Sequence, residues 1–71
     1  MRHWLKTLRE QKNITMKSMG DFLGISESYY CAIEKGERQK KMDMTLASGL
    51  AAILGVPIAD VVNYESEWRN R

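Results

Sequence analysis

The stretch Thr15-Met-Lys-Ser-Met-Gly-Asp-Phe-Leu-Gly-Ile-Ser-Glu-Ser-Tyr-Tyr-Cys-Ala-Ile-Glu-Lys-Gly36 decides the fold of this chain. Thr15 and Ser26 each precede a run with apolar residues at helical spacing, and their hydroxyls are typical caps for the first turn of a helix. Gly24 lies between the two runs, where a glycine ends one helix and lets the chain reverse. The stretch predicts two short helices joined by a tight turn, over residues 16–23 and 27–35.

The apolar spacing of these two helices predicts which of their faces are buried. Gly20 is unfavourable inside a helix by about 1 kcal/mol relative to Ala. We expect a glycine there because a small residue lets the following helix approach closely. The residues expected in the core are Met19, Phe22, Leu23, Tyr30 and Ile33.

The sequence before this stretch predicts a first helix over residues 2–12. Leu5 and Leu8 lie on one face at helical spacing, and Trp4 covers the edge of that face. Asn13 suits the left-handed turn that ends the helix.

The sequence after the stretch predicts two further helices. Asp43 or Thr45 can cap a fourth helix that reaches Leu54, and Pro57 starts a short fifth helix that carries Ile58, Val61 and Val62. We therefore expect an all-α domain, five helices around one core, over residues 1–63, and a polar C-terminal tail over residues 64–71.

The composition is that of one small globular domain. The 71 residues are 44% hydrophobic and 28% charged, and a chain of this length buries only about 60% of its unfolded surface. No apolar run approaches the roughly 18 residues that span a bilayer, and the first residues lack the apolar stretch of a signal peptide. We expect a cytoplasmic protein with no membrane partner.

The basic residues are clustered more than the net charge of +2 suggests. Four of them follow the second helix of the opening stretch within a few residues, whereas Asp60, Glu65 and Glu67 lie toward the C-terminus. A run of charge is usually a solvated loop, but this one lies where a phosphate backbone would pass if the preceding helix entered a groove. The clustered residues are Lys35, Arg38, Lys40 and Lys41.

Residue types that carry catalysis or bind metals are isolated in this sequence. Cys31 is the single cysteine, so it forms no internal disulfide, and neither it nor His3 has partners at metal-ligand spacing. Ser26 and Ser28 have no nearby base that could activate a hydroxyl. We therefore expect no enzyme activity, no cofactor, no metal and no small-molecule site.

Two short helices joined by a tight turn form a helix-turn-helix, which places its second helix in the major groove of DNA. Residues 5–62 resemble the Cro/C1-type, or xenobiotic-response-element, helix-turn-helix regulators of bacteria and their phages. The resemblance implies a compact, lambda-repressor-like fold and sequence-specific binding to double-stranded DNA. It is carried by Leu5, Leu8, Arg9, Thr15, Gly24-Ile25-Ser26, Ser28-Tyr29-Tyr30, Ile33-Glu34-Lys35-Gly36 and Leu54-Gly55-Val56.

The resemblance implies roles for residues at the matching positions. The helix over residues 27–35 is implied to be the recognition helix, and Arg9 and Glu34 are implied to form a partly buried ion pair between it and the first helix. The residues implied to face the bases are Ser26, Glu27, Ser28 and Ala32. Those implied to contact phosphates are Thr15, Lys17, Tyr29, Lys35, Arg38, Lys40 and Lys41.

Two positions depart from the usual pattern of the family. Met16 occupies a position where a glutamine often meets a phosphate, and methionine has no donor, although the adjacent Lys17 could substitute. Glu27 is acidic where Lys or Gln is frequent. A carboxylate can accept a hydrogen bond from cytosine N4, so we expect Glu27 to favour cytosine.

The leading hypothesis is a transcriptional repressor that binds a two-fold operator as a homodimer, with half-sites roughly 34–36 Å apart. The fourth and fifth helices and the tail would form the dimer surface, with Tyr64 and Trp68 as candidate anchors. Trp68 could equally fold back on its own core. The alternative hypothesis is an antitoxin-like module that binds a partner toxin and represses its own operon.

Overall fold

Five α-helices and no strand occupy residues 1–70, the part of the chain that the computed structural model describes. The predicted all-α, five-helix architecture is confirmed, and the predicted bounds of the second helix are those observed. The helices are α1 (His3–Gln11), α2 (Met16–Leu23), α3 (Glu27–Glu34), α4 (Met44–Leu54) and α5 (Ile58–Arg69).

Side-chain caps begin three of the helices. Thr15, Ser26 and Asp43 each accept a hydrogen bond from the backbone N–H three residues further along, at 2.7–3.1 Å. Asp43 rather than Thr45 therefore caps α4. Gly24 ends α2 in the left-handed conformation, with φ of 73°, so the turn before α3 needs the residue that tolerates this backbone best.

The core is formed by apolar side chains from all five helices. α2 packs against α3 and α4, α4 packs against α5, and α1 packs against α3. This arrangement holds α3 against the core on one side and leaves its other side free. The fully buried apolar residues are Leu5, Met19, Tyr30, Ile33, Leu50, Leu54 and Val61.

At Gly20, α2 lies close to the backbone of the turn before α3 and of the first residue of α3. A Cβ atom on Gly20 would lie 2.8 Å from the carbonyl oxygen of Ile25 and 3.3 Å from the backbone N of Glu27. Both neighbours are backbone atoms, which cannot rotate away as a side chain can. The predicted reason for a glycine at this position is confirmed.

The fifth helix is longer than the sequence indicated. α5 continues to Arg69, so residues 64–70 are helix with a capping residue rather than a separate tail, and Arg71 lies outside the described residues. The helix persists because two of its later side chains find partners near the N-terminus: Glu65 pairs with Arg2, and the Trp68 indole donates to the carbonyl of Met1.

Three residues expected on apolar faces are exposed, one of them Ile58 at 37%. Phe22 is 56% exposed and Val62 is 45% exposed. Because α3 crosses α2 at Gly20, the buried side of α2 is centred on Met19 and Gly20, and Phe22 falls outside it. On α5 the buried position is Val61, one residue earlier than Val62.

Taken singly, no helix within residues 1–70 is long and apolar enough to cross a membrane. α4 and α5 reach that length and composition only when counted together, and they are bent by 118° relative to each other.

Candidate nucleic-acid interface

The N-terminal end of α3 projects from the domain. Ser26, Glu27 and Ser28 are exposed, whereas Tyr30 and Ile33 on the opposite side are fully buried. A helix held in this way can enter the major groove with its first residues toward the base edges. Three of the four residues implied to read bases are thus accessible.

The fourth, Ala32, is half-buried. Its carbonyl accepts hydrogen bonds from the backbone N–H groups of Glu37, at 2.9 Å, and Arg38, at 3.3 Å. With intermediate exposure, Ala32 is less accessible than the residues at the start of the helix.

Ser26 already performs one task within the protein. Its Oγ accepts from the backbone N–H of Tyr29 at 3.0 Å, which leaves the hydroxyl proton free to donate. The side chain of Ser28 takes no part in capping α3. Both hydroxyls could donate to a base or phosphate oxygen.

At the start of α2, which packs against α3, the side chains of Thr15, Lys17 and Ser18 are exposed. Thr15 Oγ1 accepts from the backbone N–H of Ser18 at 3.1 Å and donates to Ser18 Oγ at 3.0 Å. Lys17 Nζ lies 3.2 Å from Asp21 Oδ2, with both side chains about 70% exposed. An exposed pair of this kind is worth little, so Lys17 can exchange its partner for a phosphate.

Residues 35–43 form the connector between α3 and α4, and its basic side chains face solvent. Lys35, Arg38, Lys40 and Lys41 are all exposed. Within residues 1–70, none of these four forms an ion pair. Cations without protein partners are free to contact phosphates, and they release counterions when they do so.

Tyr29 links the recognition helix to the connector. Its hydroxyl accepts a hydrogen bond from Gln39 Nε2 at 3.3 Å, and Gln39 Oε1 accepts from the backbone N–H of Asp43 at 3.3 Å. Gln39 adopts φ of 53°, in the left-handed region. The half-buried Tyr29 ring thus lies between α3 and the connector, with its hydroxyl near the basic residues.

Arg9 and Glu34 are brought together beneath the interface. Arg9 Nε donates to Glu34 Oε2 at 2.8 Å and Arg9 Nη2 donates to Glu34 Oε1 at 3.1 Å. Tyr30 donates its hydroxyl to Glu34 Oε2 at 2.6 Å. The hydrogen bond to Glu34 raises the pKa of Arg9, and burial, then the bond to Glu34, raises the pKa of Tyr30.

A second buried ion pair was not predicted from the sequence. Arg2 is fully buried and Glu65 is 6% exposed, and the guanidinium donates from Nε and Nη2 to the two carboxylate oxygens at 2.8 Å each. The two residues are 63 positions apart, so no local pattern links them. One feature of the sequence could have indicated that Glu65 is buried: it lies one turn after Val61, on the buried face of α5.

The aromatic residues predicted as dimer anchors make contacts within the chain. Tyr64 stacks on Trp4 with ring centroids 5.6 Å apart. Trp68 is half-buried, its ring lies 4.4 Å from Arg2 Cζ, and its indole N–H donates to the Met1 carbonyl at 2.8 Å. Of the two alternatives for Trp68, these contacts favour the one in which the ring folds back on its own chain.

Comparison with known proteins agrees with this geometry. A family model described as helix-turn-helix matches residues 5–61. The chain is also similar to an uncharacterized HTH-type transcriptional regulator of Methanocaldococcus jannaschii, with 34% identity over 67 residues, which is 94% of this chain and 98% of the relative.

Proposed function

The chain belongs to the Cro/C1-type helix-turn-helix family of DNA-binding transcription regulators, and we propose that it is a repressor that binds a two-fold operator as a homodimer. α3 would enter the major groove, with Ser26, Glu27 and Ser28 at the base edges and Ala32 in a lesser role. The protein is proposed to act in the cytoplasm.

The observation that carries this proposal is the position of free positive charge beside the exposed end of α3. Lys35, Arg38, Lys40 and Lys41 follow the helix directly and have no ion-pair partner within residues 1–70. Backbone contacts of this kind orient a recognition helix without reading sequence. Thr15, Lys17 and Tyr29 would add phosphate contacts on the α2 side.

The homodimer is proposed because one short recognition helix offers few base contacts, and pairing two of them doubles the interface. Exposed apolar side chains on α4 and α5 support a dimer surface there. Met44 is 63% exposed and Val62 is 45% exposed, and the two line one surface groove. Ile58, 37% exposed, lies one turn before Val62 on the same face.

Tyr64 lies on a different side of α5 from this face, because two residues correspond to about 200° around a helix. It is 37% exposed even while it stacks on Trp4, so it is proposed as a secondary anchor. Trp68 contributes less to a dimer in this arrangement, since its ring is engaged by Arg2 and Met1.

The test is selection of bound sequences from a random pool of double-stranded DNA, followed by titration of the enriched site at two salt concentrations. An enriched inverted repeat with half-sites about one helical turn apart supports the dimeric regulator. Weak, strongly salt-dependent binding with no enriched sequence would show charge attraction alone. That result would contradict the proposal and favour a role that needs a partner protein.

A further inference from the structure

We propose that Arg2 is a positioning residue for DNA binding: it holds the backbone of the connector from inside the protein, so that the basic side chains of the connector face the DNA. This inference rests on the proposed function, since it concerns the phosphate contacts of the same interface. It assigns a role to an ion pair, Arg2–Glu65, whose side chains lie outside the recognition helix.

All five N–H donors of the Arg2 guanidinium are used. Two of them bind the Glu65 carboxylate. Nη1 donates to the carbonyl of Ile33 at 2.6 Å and to that of Arg38 at 3.0 Å, and the remaining donor of Nη2 binds the carbonyl of Gln39. A buried guanidinium is tolerated only when its donors are satisfied in this way.

Three of these acceptors are backbone carbonyls, and they come from two different segments. Ile33 belongs to the last turn of α3, whereas Arg38 and Gln39 belong to the connector. The backbone N–H of Arg2 also donates to the carbonyl of Glu34 at 2.8 Å. A single residue thus fixes where the connector lies relative to the end of α3.

The carbonyls of the connector turn toward Arg2 while its cations turn away. Arg38, Lys40 and Lys41 are exposed, and none of them contributes a side chain to the Arg2 site. Gln39 holds the left-handed conformation at the centre of this segment. Without Arg2 the carbonyls of Arg38 and Gln39 would lose these donors. The segment would then be held by the N–H groups of Glu37 and Arg38, which donate to the Ala32 carbonyl, and by the Gln39 side chain.

α5 supports Arg2 from below. Glu65 binds the guanidinium edge, and the Trp68 ring lies beneath its face, 4.4 Å from Cζ. The start of the connector also lies against this ring, since a Cβ atom on Gly36 would be 2.8 Å from Trp68 Cζ2. The C-terminal half of α5 therefore acts on the interface through Arg2 and has no need to touch DNA.

The decisive measurement is the dependence of DNA affinity on salt, because its slope counts the phosphates that a protein neutralises, at about 0.9 per phosphate for B-DNA. The variant is Arg2→Lys in the full chain, which keeps the charge and loses the planar fork that binds several acceptors. The probe is the sequence enriched by the wild-type protein. We expect the slope to fall by about one to two, affinity to fall at least tenfold, and the preferred bases to be unchanged.

Arg9→Lys is the matched control. Arg9 is also buried and also paired with a glutamate, but its remaining hydrogen bond goes to the carbonyl of Ile14 and not to the connector. It should lower stability without lowering the salt slope. If Arg2→Lys does not fold, Glu65→Gln weakens the same site while Arg2 stays in place, and it should lower the slope in the same direction.

Two further readouts separate a positioning role from a general loss of stability. Removing Lys40 and Lys41 together should lower the slope in the wild-type protein, and should lower it less in Arg2→Lys because those contacts are already weakened. Without DNA, amide hydrogen exchange in Arg2→Lys should be faster than in the wild-type protein. The increase should be larger in residues 37–41 than in α2. A wild-type slope in a folded Arg2→Lys overturns the proposal, whereas failure of the wild-type protein to select any DNA overturns the proposed function instead.

Discussion

Glu34, which is only 1% exposed, forms a bidentate ion pair with Arg9. The two bonds, at 2.8 and 3.1 Å, join the end of α1 to the end of the recognition helix. The same carboxylate accepts from Tyr30 on α3 itself. One buried carboxylate with three hydrogen bonds therefore links α1 to the end of α3.

Replacing Glu34 with Ala should lower the free energy of unfolding by about 3–5 kcal/mol, because it leaves the Arg9 charge buried without a partner. Urea denaturation followed by circular dichroism measures the change. Asp21→Ala is the control: it breaks the exposed pair with Lys17 and should cost only about 0.3–0.5 kcal/mol. Equal losses in the two variants would show that burial of the Arg9 pair has no energetic consequence.

The raised pKa of Tyr30 should make the stability of the protein decrease at alkaline pH. This pKa is raised above the usual value of about 10 by burial and by the hydrogen bond to Glu34. In the unfolded chain the phenol loses its proton near its usual pKa, whereas the folded protein retains it. The stabilisation is therefore complete below about pH 10 and decreases as the pH rises above that value.

The measurement is the free energy of unfolding between about pH 8 and pH 11, where one such group contributes a slope of up to about 1.4 kcal/mol per pH unit. Tyr30→Phe should be less stable at neutral pH and should show a shallower alkaline decline. Tyr64→Phe, which changes a surface residue, serves as the control. The assignment to Tyr30 would be wrong if Tyr30→Phe kept the full alkaline decline of the wild-type protein.

Two glycines inside helices should respond differently to substitution by alanine, which gains about 1 kcal/mol of helix propensity at either position. At Gly20 the new Cβ would lie 2.8 Å from the backbone oxygen of Ile25, whereas at Gly49 it would meet the end of the Leu23 side chain at 2.6 Å. Backbone at the turn cannot move without shifting α3, but a leucine can change rotamer. Gly20→Ala should therefore lower the melting temperature and Gly49→Ala should change it little or raise it.

Local signals in the sequence were sufficient to predict most of the fold. Caps such as Ser26, a left-handed glycine such as Gly24 and the spacing of apolar residues act within a few positions, so they can be recognised without tertiary structure. Phe22 was misplaced because the approach at Gly20 rotates the buried side of α2. That rotation is a tertiary effect, which helical spacing alone does not contain.

The interface was only partly predictable, for a different reason. The exposed residues of α3 and the basic connector follow one another in the chain, so their proximity was visible. Arg2 and Glu65 are 63 residues apart, and each alone resembles an ordinary surface charge. Only the return of α5 to the N-terminus brings them together, and the sequence had indicated that this part of the chain was a tail.

Substitution of Val62 by Glu should disrupt the proposed homodimer, because it places a charge in the groove that Val62 shares with Met44. Sedimentation would show a shift toward monomer, and affinity for the two-fold operator would fall while circular dichroism stayed unchanged. Phe22→Glu makes the same change at an exposed apolar residue on α2 and should leave the oligomeric state unaffected. A monomeric wild-type protein, or an unaffected dimer in Val62→Glu, would contradict the proposed surface.

Glu27 should determine a base in the operator. It is exposed in the first turn of α3, and as a carboxylate it can only accept, which suits cytosine N4. Glu27→Gln adds a donor, and an amide can form two hydrogen bonds with adenine. We expect one position of each selected half-site to shift from cytosine toward adenine, with the other positions unchanged.

Glu37→Gln is the control for the change in charge. Glu37 is exposed in the connector, so its substitution also removes a negative charge near the phosphates but alters no group on the exposed end of α3. Both variants should bind DNA more tightly at low salt, since each removes a repulsion. Only Glu27→Gln should alter the selected sequence, and an unchanged preference in that variant would show that Glu27 does not read a base.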